Sequence, residues 1–131
     1  MMCMLAFDIA SVKAEPDPNK RSDLALLNAD RAMDQAREAY GKGDLKTEQA
    51  AIEEVRESVD ACYDALTHTR EKPRNSKYYK HAELKTRALS RRLAGFRDQV
   101  SLDDRPVVEG VLKRVQEIHD ELLSDIMSKR K

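Results

Sequence analysis

Ala36-Arg37-Glu38-Ala39-Tyr40-Gly41-Lys42-Gly43-Asp44-Leu45-Lys46-Thr47-Glu48 joins two long amphipathic runs through a four-residue break. Gly41 and Gly43 suit the end of a helix, because glycine enters the left-handed conformation without a Cβ clash. Asp44 suits the start of the next one, since its side chain can accept from an orphan backbone N–H. A helix, a tight turn and a returning helix are therefore predicted around residues 41–44.

Two further breaks repeat the pattern. Lys72-Pro73-Arg74-Asn75-Ser76 is predicted to stop the second helix at Pro73 and to start a third at Ser76. Ser101-Leu102-Asp103-Asp104-Arg105-Pro106 places an aspartate cap and a first-turn proline ahead of a fourth helix, where the missing proline N–H does no harm. Matched lengths and short connections favour antiparallel neighbours. The expected fold is all-α: a single-domain antiparallel four-helix up-down bundle over residues 22–131, preceded by a flexible tail over residues 1–21.

Spacings of three and four assign the buried stripes. The first helix is predicted to start after Ser22 or Asp23 and to bury Leu24, Leu27, Met33, Ala36 and Tyr40. The second buries Leu45, Gln49, Ile52, Val55, Val59, Cys62 or Tyr63, and Leu66, with Glu48, Glu53, Glu54, Glu57 and Asp64 opposite. The third buries Tyr78, Ala82, Leu89, Leu93, Phe96 and Val100, widened by Leu84 and Ala88. The fourth buries Val108, Val111, Val115, Ile118, Leu122 and Ile126. Gly95, inside the third helix, costs about 1 kcal/mol relative to alanine and predicts a close helix–helix contact.

A chain of 131 residues can build a core without disulfides or metal. Its 24 Lys and Arg balance 24 Asp and Glu, which removes any global pull toward nucleic acid or acidic membranes. No run approaches the roughly 20 apolar residues that span a bilayer. Cys3 and Cys62 form no metal-type spacing, and Cys62 is expected to be a core thiol. The opening Met1-Met2-Cys3-Met4-Leu5-Ala6-Phe7-Asp8 leads to Val12-Lys13-Ala14, so residues 1–14 read either as a frayed tail or as a degenerate signal-like segment ending near Ala14. Cytoplasmic and exported locations both remain open.

Chemistry-bearing motifs are few. A di-metal bundle needs Glu-x-x-His pairs, and none of His68, His81 and His119 has Glu three positions before it. Gly41-Lys42-Gly43-Asp44 lacks the spacing and the strand of a phosphate-binding loop. The chain is expected to be no enzyme and to hold no cofactor and no metal; His119 is expected at the surface or the core boundary.

The stretch Ala36-Arg37-Glu38-Ala39-Tyr40-Gly41-Lys42-Gly43-Asp44-Leu45 with Ala51-Ile52-Glu53-Glu54 resembles the middle of a tetratricopeptide repeat. The resemblance covers residues 36–54 and implies a helical hairpin of similar geometry, not a repeat array with a peptide groove. As a whole the chain resembles small bacterial all-helical proteins.

Charge is segregated. Residues 72–97 carry nine basic side chains against one acid, Glu83, while residues 44–71 and 103–125 are mainly acidic. The segregation reads in two ways. In one, a basic third helix pairs with two acidic neighbours and disfavours wrong pairings. In the other, Lys77, Tyr79, Lys80, Arg87, Arg91 and Arg92 form an exposed docking ridge. The leading expectation is a non-enzymatic bundle acting through protein–protein contact, with a protein partner or self-association. The alternative is anion or nucleic-acid binding on the same ridge with Tyr79 as a stacking platform. The overall neutrality of the chain disfavours nucleic acid.

Overall fold

A computed structural model of the protein describes residues 8–128. Its regular structure is helical, with no strand among the described residues. Five α-helices follow in order: α1 Ile9–Ala14, α2 Pro18–Gly41, α3 Leu45–Leu66, α4 Lys77–Gln99 and α5 Arg105–Met127, with a 3-10 turn at Pro73–Asn75.

The expected tail is partly helical. Asp8 caps α1 by accepting from the Ser11 N–H at 2.8 Å, and α1 packs on α2 and α3 with Val12 buried. α2 begins at Pro18, ahead of the predicted Ser22 or Asp23. Asp17 is its cap and Pro18 lies in its first turn, the placement that proline tolerates best. Ser22 is buried instead, its hydroxyl donating to the Asn19 carbonyl at 2.8 Å. The first residues of the signal-like segment, with Cys3, lie outside the described residues.

The turn at residues 41–44 forms as predicted. Gly43 has φ +77°, and Asp44 accepts from the Thr47 N–H at 3.2 Å and the Thr47 hydroxyl at 2.7 Å. α2 meets α3 through small residues: Ala25, Ala29, Ala32 and Ala36 are all buried. Alanine lets the backbones approach closely, and this rotates α2 from its expected face. Leu24 becomes half-buried and Leu27 is 50% exposed, while Leu26 and Met33 fill the core.

α3 stops at Leu66, well before Pro73. Its stripe is Glu48, Ile52, Val55, Val59, Cys62 and Leu66, all buried; Leu45 and Gln49, expected inside, are exposed. Cys62 lies in the core, where burial pushes its thiol well above the ordinary range. Ser76 caps α4 as predicted, accepting from the Tyr78 and Tyr79 N–H groups. Leu84 and Ala88 do not widen the α4 stripe: both are exposed, and Tyr79 and Thr86 take buried positions. Gly95 is also exposed, with open space where a Cβ would stand, so no close contact explains it.

Named contacts give the arrangement of the four long helices. α2 with α3, and α4 with α5, form antiparallel hairpins with the closest packing in the molecule. Tyr40 and Phe96, near the C-terminal ends of α2 and α4, meet edge to face with ring centroids 5.7 Å apart. Tyr63 near the end of α3 donates to Asp125 near the end of α5 at 3.0 Å. Like ends thus lie together, so α2 runs parallel to α4 and α3 parallel to α5. α3 and α4, consecutive in the chain, share little surface; the connection over residues 67–76 carries the chain across the end of the core. Tyr79 closes that end, its hydroxyl donating to the Leu66 carbonyl at 3.2 Å. Each Leu, Ile or Val buried between the hairpins contributes about 1.5–3 kcal/mol relative to exposure.

Candidate functional site

The six residues of the expected ridge do not stay together. Lys77, Lys80 and Arg91 are exposed, and among the described residues none of the three forms an ion pair. The Lys77 ammonium lies 5.4 Å from the Tyr78 ring centroid. Arg87 is exposed but turns to its own helix, its Nε donating to Glu83 at 3.0 Å. Arg92 reaches α2, with 2.6 Å to Asp34 and 3.7 Å to Asp30. Tyr79 is 5% exposed and therefore offers no ring for stacking. Lys85, outside the expected set, pairs with Asp30 at 2.6 Å.

These pairs correct the electrostatic expectation. The bases of α4 are met by aspartates of α2, not by the more acidic α3 and α5. Parallel packing of α2 on α4 brings Asp30 and Asp34 within reach, whereas α3 makes few contacts with α4.

The pairings Asp30–Lys85, Asp34–Arg92 and Tyr40–Gln99 set the register between α2 and α4. In that register Leu27 stands level with Leu84. Both are large, apolar and about half exposed, at 50% and 55%. Residues three or four apart share a helix face, which places Ala88 and Arg91 along the side of α4 that carries Leu84. On α2, the side carrying Leu27 also carries Asp23, Asp30 and Asp34. The outer α2/α4 face thus carries Leu27 and Leu84 on either side of a seam in which Asp30 and Asp34 are paired with Lys85 and Arg92. A shallow pocket of about 290 Å³ lies at one end of it, lined by Asp23, Lys77, Tyr78 and His81.

Sequence periodicity placed Leu27 and Leu84 inside their stripes and so missed this face. The signal that could have found it is the run Ala25, Ala29, Ala32, Ala36, an alternative stripe that competes with the leucines for the core.

Three other polar features lie away from this face. His119 Nε2 is 2.8 Å from Glu83 Oε2 between α4 and α5, at the core boundary. Burial pushes the Glu83 carboxyl up, but hydrogen bonds from Arg87 and His119 outweigh it and hold the group below the usual range. Glu48 and Asp104 form a buried acid pair where α3 and α5 begin. A cleft of about 690 Å³ between α1 and α3 is lined by residues of both signs, including Lys13, Arg21, Asp60 and Asp64. Among the described residues, no group of three or more His, Cys, Asp or Glu side chains is placed to hold a metal ion. No helix among them is long and apolar enough to cross a membrane.

Comparison with protein-family models, with curated proteins and with solved structures gives no match to this chain.

Proposed function

We propose that the chain is a non-enzymatic bundle, its four long helices running up, down, up and down, that acts through protein–protein contact on the outer face of α2 and α4. The observation that carries this reading is the exposed pair Leu27 and Leu84, set level on neighbouring helices across an ion-paired seam, with the unpaired Lys80 and Arg91 beside Leu84. A leucine half open to water forgoes much of its burial energy, about 1.5–3 kcal/mol for a full side chain. A partner that covers both leucines recovers it, and the flanking charges select the partner and its orientation.

The alternative, anion or nucleic-acid binding on α4, draws on Lys77, Lys80 and Arg91 alone. Burial of Tyr79 removes its stacking platform, and Arg92 is already paired with α2.

Cross-linked co-purification from native cells, with and without nuclease, separates the two. Docking predicts a complex that resists nuclease and is lost from Leu84→Glu. Binding to a phosphate backbone predicts loss on nuclease treatment and a steep fall in affinity with salt; that result would overturn the docking reading.

A further inference from the structure

We propose that Asp104 is the moving part of a pH switch: when the proton it shares with Glu48 leaves, its side chain turns out of the core toward the start of α5 and loosens the turn between α4 and α5.

Geometry supplies the two positions. Turned inward, Asp104 is 3% exposed and faces Glu48, which is fully buried. Three oxygens of the pair, both of Glu48 and Oδ2 of Asp104, lack a donor. Asp104 is held inside by one bond, from the Gln49 amide at 2.7 Å. Turned outward, it has better partners. It occupies the cap position of α5 without capping it, and the positive end of a helix dipole favours a carboxylate there. The next residue supplies a donor, since Arg105 Nε is buried and has no acceptor. Sequence neighbours can pair in this way, as Arg97 and Asp98 do at 3.2 Å.

One proton decides between the positions. With it, the two carboxyls share a hydrogen bond inside. Without it, two like charges are confined away from water, and one must leave. No base holds them: among the described residues, Asp104 is the only charged group that bears on Glu48. On the elements around the pair, Lys42 at the end of α2 is paired with Glu38, and Lys46 on α3 is exposed. Arg97 on α4 is paired with Asp98, and the Arg105 guanidinium reaches the Asp98 carbonyl at 3.5 Å. Of the other acids there, Asp44 is engaged with Thr47 and Asp103 is exposed. Glu48 is fixed in the first turn of α3. Asp104 instead ends a short turn, held by two bonds to the Ser101 carbonyl, from the Asp104 and Arg105 N–H groups at 3.0 and 3.2 Å. Asp104 is therefore the one that moves.

NMR of the full chain, titrated from about pH 6 to about pH 10, tests the proposal. The Gln49 side-chain amide is expected to move to the position of a free amide. The backbone amides of residues 101–108 are expected to shift with it, at one midpoint near the value of about 8 to which burial and Asp104 push Glu48. Amides in the middle of α3 are expected to stay. Gln49→Ala decides whether the side chain moves. If Asp104 turns out, removing the bond that holds it in lowers the midpoint, by about half a unit to one unit. If both carboxyls stay in place, losing that donor makes the pair hold its proton more tightly, and the midpoint rises. Glu48→Gln, which offers Asp104 its own donor, is expected to abolish the transition. Gln49 is exposed, so its variant is expected to fold and to give the answer even where Glu48→Gln does not. No transition in the range, a Gln49 amide that stays bonded through it, or a midpoint that rises or stays in Gln49→Ala overturns the proposal.

Discussion

Glu48 faces Asp104 inside the protein, where the first turn of α3 meets the start of α5. Glu48 is fully buried and Asp104 is 3% exposed. Neither oxygen of Glu48 has a donor in reach, and Asp104 Oδ2 has none either; Asp104 Oδ1 accepts from Gln49 at 2.7 Å. Asp104 stands at the cap position of α5 but makes no capping bond, because its side chain is turned inward. Two acceptors in that position need a shared proton. Burial first, and then the Asp104 carboxyl, push Glu48 up to about 8.

The pair makes stability depend on pH. In the folded state Glu48 keeps its proton up to about 8, whereas its ordinary value is 4.5. Between those values the folded chain binds more protons than the unfolded chain, so this group's contribution falls as pH rises and levels off above about 8. Urea unfolding at steps from pH 5 to pH 9 is expected to show that decline. Glu48→Gln, which carries its own donor, is expected to flatten it and to raise stability at pH 9 by about 1–3 kcal/mol. An unchanged pH profile in the variant would refute the shared proton.

Tyr79 closes the end of the core and takes no part in the docking face. Tyr79→Phe removes its hydrogen bond to the Leu66 carbonyl and is expected to cost about 1 kcal/mol in chemical denaturation. Capture of the docking partner is expected to stay as in the wild type. A large loss of binding in this variant would return Tyr79 to the ridge.

Gly95 and Gly110 sit inside helices with open space around the position of a Cβ. Each Gly→Ala change is expected to raise stability by about 0.5–1 kcal/mol, because alanine loses less backbone entropy in a helix. Thermal melts of the two single variants check this. Destabilisation at Gly95 would mean a close approach that the structure lacks.

α1 is held to the core mainly by Val12, with Ile9 partly buried beside it. Val12→Asp places an unpaired charge against that core and is expected to release α1 while α2–α5 persist. Hydrogen exchange is the measurement: amides of Ile9–Ala14 should lose protection, and those in the middle of α3 should keep theirs. Equal loss in both would make α1 part of one cooperative unit.

The all-helical class, the turn at Gly43, and the caps at Asp44 and Ser76 were legible from the chain alone. They rest on local chemistry, in which glycine tolerates positive φ and short oxygen-bearing side chains satisfy the first orphan N–H groups. Which of two competing stripes turns inward was not local. In α2 the alanine run won over Leu24 and Leu27 because α3 comes close enough to need small residues. In α3 the spacing 48, 52, 55, 59, 62, 66 was present in the sequence, yet a glutamate at its head reads as solvent-facing until Asp104, 56 residues away, is seen to share its site.

Sequence by itself determined that four helices are long and where α3 and α4 start, but not the end of α3 at Leu66, well before Pro73, nor the short α1. Tertiary structure alone decided which helices touch: α2 packs on α4 and α3 on α5, while α3 and α4 share little surface, which no residue encodes singly because it follows from how two hairpins bury their faces together. That packing splits the cations of α4, pairing Lys85 and Arg92 with Asp30 and Asp34 and leaving Lys80 and Arg91 at the surface. It also sets Leu27 level with Leu84, since the depth of a side chain depends on which neighbour covers it and not on its own hydrophobicity.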